Sequence, residues 1–191
     1  PQHWRVNVAI WIFLGIAVLV LCYVILIYNR LVRLRALVRE SWSGITVQLR
    51  RRADLVPNLV SAVKGYASHE RELLETVTAH RSDAISANGV GATAQADAAL
   101  SGMLGRLIAV AEAYPDLKAD ANFRQLQDEL SQIEEELAGA RRYYNATVRD
   151  LNTQVQSFPD VVVAQPLGFK REEPYADADA AIQAAPKVDF G

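Results

Sequence analysis

The sequence predicts an all-α protein: an N-terminal transmembrane helix continuous with an elongated antiparallel bundle of three to four helices. Three observations carry that expectation. Residues 8 to 27, "VAIWIFLGIAVLVLCYVILI", contain no charge, no amide and no proline. Beyond them, apolar residues recur at steps of three and four along two long segments, as one buried helical face requires. Period-two alternation, the mark of a half-buried strand, is missing outside a "VVV" patch at 161–163.

The apolar run comes first. At about 1.5 Å of rise per residue it spans roughly 30 Å, the thickness of a bilayer's hydrocarbon core. Trp4 and Trp11 lie near one end and Tyr23 and Tyr28 near the other, as interfacial aromatics would. A cleaved leader is disfavoured, because the run is long and no A-x-A-like site follows it. Bulky Leu21 before Cys22 argues against a lipid-modified cysteine. The expected order is a short extracytoplasmic N-terminus at 1–7, a span at 8–28 and a cytoplasmic bundle at 29–158. Orientation follows from charge: Arg30, Arg33, Arg35 and Arg39 follow the span closely, opposed only by Glu40, so the positive-inside rule puts the N-terminus outside. Cys22 is the sole cysteine, so no intrachain disulfide framework exists.

No breaker separates the span from the bundle. Leu31, Leu34, Val38, Trp42, Ile45, Leu49, Ala53, Val56 and Val60 advance by threes and fours in an 11-residue repeat, so one stripe persists along a nearly straight helix. Pro57 removes a backbone donor and is expected to kink or joint this helix. The stripe continues through Val63, Tyr66, Leu74 and Val77 and fades by Ser82. The small, Gly-containing stretch "SANGVGATAQADA" at 86–98 reads as a turn and the start of a second helix, with Leu100, Leu104, Leu107, Ile108 and Ala111 on one face. Pro115 ends it.

A third helix is expected from Asp120. Phe123, Leu126, Leu130, Ile133, Leu137, Ala140 and Tyr144 hold a seven-residue spacing that relaxes toward Val148, Leu151, Val155 and Phe158, and Pro159 stops it. Residues 159–170 read as an extended segment laid on the bundle end. Residues 171–191, acidic and rich in alanine and proline, read as a mobile tail.

The net charge of −2 conceals a division. Through Arg52 there are eight arginines and one acid, a balance of +7; beyond it the balance is −9. A nucleic-acid binder would show a basic face on its folded domain, so no nucleic-acid partner is expected. Arg30, Arg33, Arg35 and Arg39 are candidates for anionic lipid headgroups. Arg50, Arg51 and Arg52 lie roughly 30 Å beyond Arg30 on an unbroken helix, too far for headgroups, and suit a protein interface. Glu134, Glu135 and Glu136 occupy the solvent side of the third helix's stripe and are candidates to meet those arginines in the same or a neighbouring chain.

The residues offer little chemistry. "HERE" at 69–72 begins like the zinc-protease pattern H-E-x-x-H, but position 73 is leucine, so the facing ligand one turn on is missing. His80 lies on the same helical face as His69 but about 16 Å along it. No phosphate loop, Cys-His cluster or supported Ser-His-Asp set appears, so neither catalysis nor a metal or other cofactor is expected. Trp42, Tyr66, Tyr143 and Tyr144 fall on or beside the apolar stripes, where core packing is the default. Gly15 and Ala17 form one small patch in the span for close helix approach.

"YNRLVRLRALVRESWSGITVQLRRRADLVPNLVSAVKGYASHE" after a single span resembles the LemA family of bacterial membrane proteins. "PDLKADANFRQLQDELSQIEEELAGARRYYN" and "FPDVVVAQPLGFK" resemble its second half. The likeness covers residues 28 to 170 in order; Thr46 stands where an Asp is common, and "REEPY" replaces a more aromatic ending. The resemblance implies an N-out anchor and a cytoplasmic helical bundle at the bacterial plasma membrane, and a membrane metalloprotease as one kind of partner. The resulting expectation is a non-enzymatic homo-oligomeric scaffold held in the lipid bilayer. The alternative is an adaptor of a membrane protease in envelope quality control.

Overall fold

The computed structural model describes residues 3–67 and 69–176. The expected tail from 177 onward, residues 1 and 2, and the side chains of residues 3–9, Trp4 among them, lie outside the described residues. Among the described residues every regular element is helical: α1 (His3–Tyr66), α2 (Arg71–Ser86), α3 (Val90–Ala111), α4 (Pro115–Ala119), α5 (Ala121–Gln156) and α6 (Asp160–Ala164). The predicted all-α class stands. The chain divides into two compact units: residues 3–40 with Ala146–Glu172, and Ser41–Asn145 with residues 173–176.

In the first unit, α1 is long and apolar enough to cross a membrane. Its most apolar stretch of 18 residues has a mean hydropathy of 3.0 and is only 6% buried. Further along, Ile27, Leu31 and Val38 are buried, as are Val148, Leu151 and Val155 from the end of α5. Residues 160–164 form a short helix rather than the extended segment expected there. Gly168, at φ +74°, adopts a left-handed conformation that a side chain disfavours, and Phe169 then donates its N–H to the Ala164 carbonyl at 3.0 Å. Phe169 packs edge-on against Tyr28, with ring centroids 5.9 Å apart, and Arg35 lies over its ring at 4.7 Å. Two backbone groups of Glu172 bond one side chain: its N–H donates to Asn152 Oδ1 and its carbonyl accepts from Asn152 Nδ2, each at 2.8 Å.

In the second unit, α1 and α5 run antiparallel. Trp42 packs on Tyr144, Arg51 meets Glu136, and Tyr66 reaches Asp120. Numbers rise along one helix as they fall along the other. Leu55, Val56, Leu59 and Val63 of α1 share a core with Leu74 and Val77 of α2, Leu100, Leu104 and Leu107 of α3, and Phe123, Leu130 and Ile133 of α5. Asp120 caps α5, its carboxylate accepting the Phe123 N–H at 2.8 Å, so the expected start of this helix is met within a residue.

The first soluble helix ends earlier than its stripe suggested. α1 stops at Tyr66, and a turn closed by Glu70 N–H to the Ala67 carbonyl (3.1 Å) starts α2. Ala67, Leu74 and Val77 all enter one core, so the apolar spacing continues across a break in the backbone. A second break follows Ser86, where Gly89 takes φ +84° before α3 begins.

Pro57 lies inside α1, and the helix runs through it without interruption. Proline has no N–H, so the carbonyl four residues earlier, Ala53, loses its helical partner. Arg81 of α2 supplies the missing donor, with Nε to the Ala53 oxygen at 2.6 Å. Arg81→Ala is expected to cost about 1–3 kcal/mol, the usual penalty for a stranded buried acceptor. The same change in a Pro57→Ala background, where the amide at 57 restores the helical bond, should cost clearly less. Urea unfolding of the four chains in detergent measures that coupling, and additive costs would refute the substitution of one donor for the other.

Candidate functional site: a buried ionic cluster closed by Tyr175

The second unit holds its charge inside. Arg52, the last of three consecutive arginines, is 1% exposed although its neighbours Arg50 and Arg51 face water. Consecutive helical residues diverge by about 100°, so three in a row cannot all share one face. Ala53 and Val56 mark the buried side, and Arg52 falls beside them. Its guanidinium donates through Nη1 to Ser101 Oγ at 2.7 Å and to Glu134 Oε1 at 2.8 Å. Nη2 forms an ion pair with the Asp97 carboxylate.

Asp97 is the hub. On α3 it continues the buried spacing of Leu100, Leu104, Leu107 and Ala111 back toward the N-terminus, a carboxylate where the pattern calls for a hydrocarbon. One oxygen takes Arg52; the other accepts from Arg141 of α5 and from the Tyr175 hydroxyl. Two guanidiniums and the carboxylates of Asp97 and Glu134 balance one another. A buried charge without a partner would cost several kcal/mol, so the balance is a condition of folding. The Nε atoms of Arg52 and Arg141 are buried without a partner, a residual cost the cluster carries.

Tyr175 closes the cluster from the far end of the chain. It is buried, within 6.3 Å of the Trp42 ring, and the Arg141 guanidinium lies 5.3 Å from its ring centre. Asn145 bonds its backbone twice: Tyr175 N–H to Oδ1 at 2.8 Å, and Nδ2 to the Tyr175 carbonyl at 3.0 Å. The Glu173 carbonyl accepts from the Tyr144 hydroxyl at 2.9 Å. The Glu173 carboxylate lies against Gly91 in the first turn of α3, where a Cβ would come within 2.9 Å of it and where the helix dipole favours negative charge. Residues 173–175 are therefore a docked segment and not the start of a mobile tail, which corrects the expectation for this part of the chain. A pocket of about 140 Å³ lies beside the cluster, bordered by Ala94, Ala98 and Ser101.

The chemistry available follows from these partners. Burial pushes the Tyr175 phenol well above its ordinary value, and the hydrogen bond to Asp97 pushes it further. Burial works hardest against the Arg141 charge, but Asp97, Tyr175 and Glu134 together outweigh it and leave its pKa raised. Both groups keep their protons at neutral pH, so they supply charge and hydrogen bonds and act neither as base nor as nucleophile.

The residues singled out in the sequence are distributed as follows. Arg51 meets Glu136 at 2.6 Å and Arg52 meets Glu134, so the arginine and glutamate groups join within one chain. Arg52, proposed for an interface, is enclosed by its own helices. Arg50 pairs loosely with Asp54 at 3.7 Å, and Glu135 is exposed. In the first unit Arg30, Arg33 and Arg39 are exposed, while Arg35 is partly covered by Phe169. His69 is exposed in the turn before α2, and His80 faces Asp83 at 3.8 Å. Trp42 and Tyr144 pack together, whereas Tyr143 stays exposed. Asp97, Arg141, Asn145 and Tyr175 were not anticipated. Extending the α3 stripe by one step would have reached Asp97; nothing local marks Tyr175.

Asp97→Ala removes the carboxylate that two guanidiniums share and leaves Arg141 without its ion pair and Arg52 with Glu134 alone, so a loss of about 3–5 kcal/mol is expected in urea unfolding. Tyr175→Phe removes one hydrogen bond to a charged group, with an expected loss of about 1.5–3 kcal/mol. The phenol's folded pKa lies above its unfolded value of 10.0, so the folded state holds a proton that the unfolded chain releases in alkali. Its contribution is complete below pH 10 and is lost as pH rises beyond it. Unfolding measured across this alkaline range should show that decline, and the slope should flatten in Tyr175→Phe.

Residues 41–190 match the profile of the LemA family. Magnetosome proteins MamQ 1 and MamQ 2 of Paramagnetospirillum magneticum are each 25% identical over 179 residues, covering 80% of this chain and 66% of the relative. Protein LemA of Metamycoplasma hominis is 29% identical over 141 residues, covering 73% of this chain and 64% of the relative. The chain thus spans just under two thirds of the length of each of these relatives. With the family profile running through α2 to α6 and the Tyr175 segment, the chain belongs to the LemA family.

Proposed function

We propose that this protein is a non-enzymatic, single-pass membrane anchor whose helical part associates with copies of itself into a scaffold on the cytoplasmic side of a bacterial plasma membrane. The observation that carries the reading is the bareness of the apolar run. A stretch of 18 residues with a mean hydropathy of 3.0 is covered by its own chain over only 6%. An exposed apolar surface of that extent calls for lipid or for other chains. The four arginines that follow it favour the cytoplasmic side for what comes after.

Lateral association is supported by surfaces left over once internal pairing is complete. A Cβ at Gly15 would meet nothing within 4 Å, so the small patch in the span is free for a neighbouring helix. Val47 and Tyr143 of the second unit are each more than half exposed. Arg51, Arg52, Glu134 and Glu136 are engaged internally, which shifts the charged part of the interface to Arg50 and Glu135.

Particle mass in mild detergent tests the reading, with the full chain beside a version starting at Arg30. A uniform full-length particle of several times 21.1 kDa is expected, with the shortened chain less associated. A single-chain mass in both would overturn the scaffold and favour one-to-one adaptor binding to a membrane protease.

A further inference from the structure

The seven-residue spacing of α5 leads to Phe158, yet that residue is not in the core. It is 84% exposed, and Val162 and Leu167 close by are 63% and 50% exposed. These three side chains mark one corner of the first unit, from the end of α5 through α6 and the following turn. The only ionisable group between 157 and 169 is Asp160, which is buried and accepts a hydrogen bond from Gln154. The exposed surface of the corner therefore carries no charge, and Ser157 and Gln165 are its exposed polar side chains.

Its position says what covers it. Phe169, tied to α6 through its N–H to Ala164, packs on Tyr28, the residue immediately after the apolar run. A bilayer holding that run has its interface at Tyr28, since the hydrocarbon core accommodates about 20 helical residues. Exposed Lys170 and Arg171 follow the corner, and exposed Arg30 and Arg33 follow the run. Exposed apolar side chains followed in sequence by basic residues, in a unit where Phe169 packs on the residue at the end of the apolar run, have the composition of an interfacial membrane contact.

We infer that the α5–α6 corner is a second membrane contact, with Phe158, Val162 and Leu167 inserted into the interfacial layer of the bilayer that holds α1. The inference rests on the membrane-span reading. The two contacts tie α1 and the α5–α6 corner to one lipid surface.

The test uses the full chain with Cys22→Ser and a single new cysteine carrying an environment-sensitive fluorophore. The chain is reconstituted in vesicles of equal parts phosphatidylethanolamine and phosphatidylglycerol. Labels go at Phe158→Cys, at Leu19→Cys in the span, and at exposed Glu135→Cys in the second unit. The expected result is blue-shifted emission at 158, quenched by lipids spin-labelled near the headgroup. The label at 19 should respond to quenchers deep in the chains, and the label at 135 only to aqueous iodide. If 19 is quenched by deep labels while 158 behaves like 135, the corner contact is overturned and the span stands. Blue-shifted emission at 158 without quenching by lipid labels would mean that another copy covers it, which also overturns the inference. Failure of deep quenching at 19 would refute the span itself and the corner contact with it.

Discussion

A guanidinium cannot shed its proton at any pH the protein meets, so a buried arginine obliges the rest of the core to provide charge. Arg52 imposes that obligation on the second unit. Its position on α1 brings Asp97 of α3 and Glu134 of α5 to it, and Asp97 in turn draws Arg141 and Tyr175. Four segments distant in sequence are thereby held in one register. Apolar contacts alone would tolerate small slips between helices; a carboxylate shared between two guanidiniums and a phenol tolerates far less. Such clusters add little net stability compared with a hydrocarbon core, but removing one partner from them is strongly destabilising.

Side chains from elsewhere also complete backbone groups that regular structure leaves open. Arg81 takes the carbonyl that Pro57 abandons, which lets α1 continue through a proline. Asn145 and Asn152 read the backbone of Tyr175 and Glu172 with both ends of their amides, as a neighbouring strand would. The carboxamide is the one common side chain with a donor and an acceptor side by side, which suits it to an extended segment docked on a helix. This recognition depends on main-chain groups and so leaves the docked residues' side chains free to do other work, as Tyr175 does.

The first unit follows a different logic. Its core is small, and its largest apolar surface is turned outward along the run and again at Phe158, Val162 and Leu167. In water that distribution would be a liability; against lipid it is coherent, because the surrounding medium supplies what a core would.

Helix content, the apolar run, the stripes of α1, α3 and α5 and the family resemblance were all legible in the sequence, because each rests on local spacing or composition. Two kinds of feature were not. The break at Tyr66 was hidden because Ala67, Leu74 and Val77 stay in step with the preceding stripe; periodicity reports which residues face a core and not whether the backbone reverses between them. The burial of Arg52 and Tyr175 was hidden because their partners lie 45 and 78 residues away at Asp97. The sequence by itself determined that this chain forms amphipathic helices behind a segment fit to cross a membrane. Only the tertiary structure decided which charges go inside, because burying an ion is favourable or ruinous according to what stands opposite it, and distant helices set that.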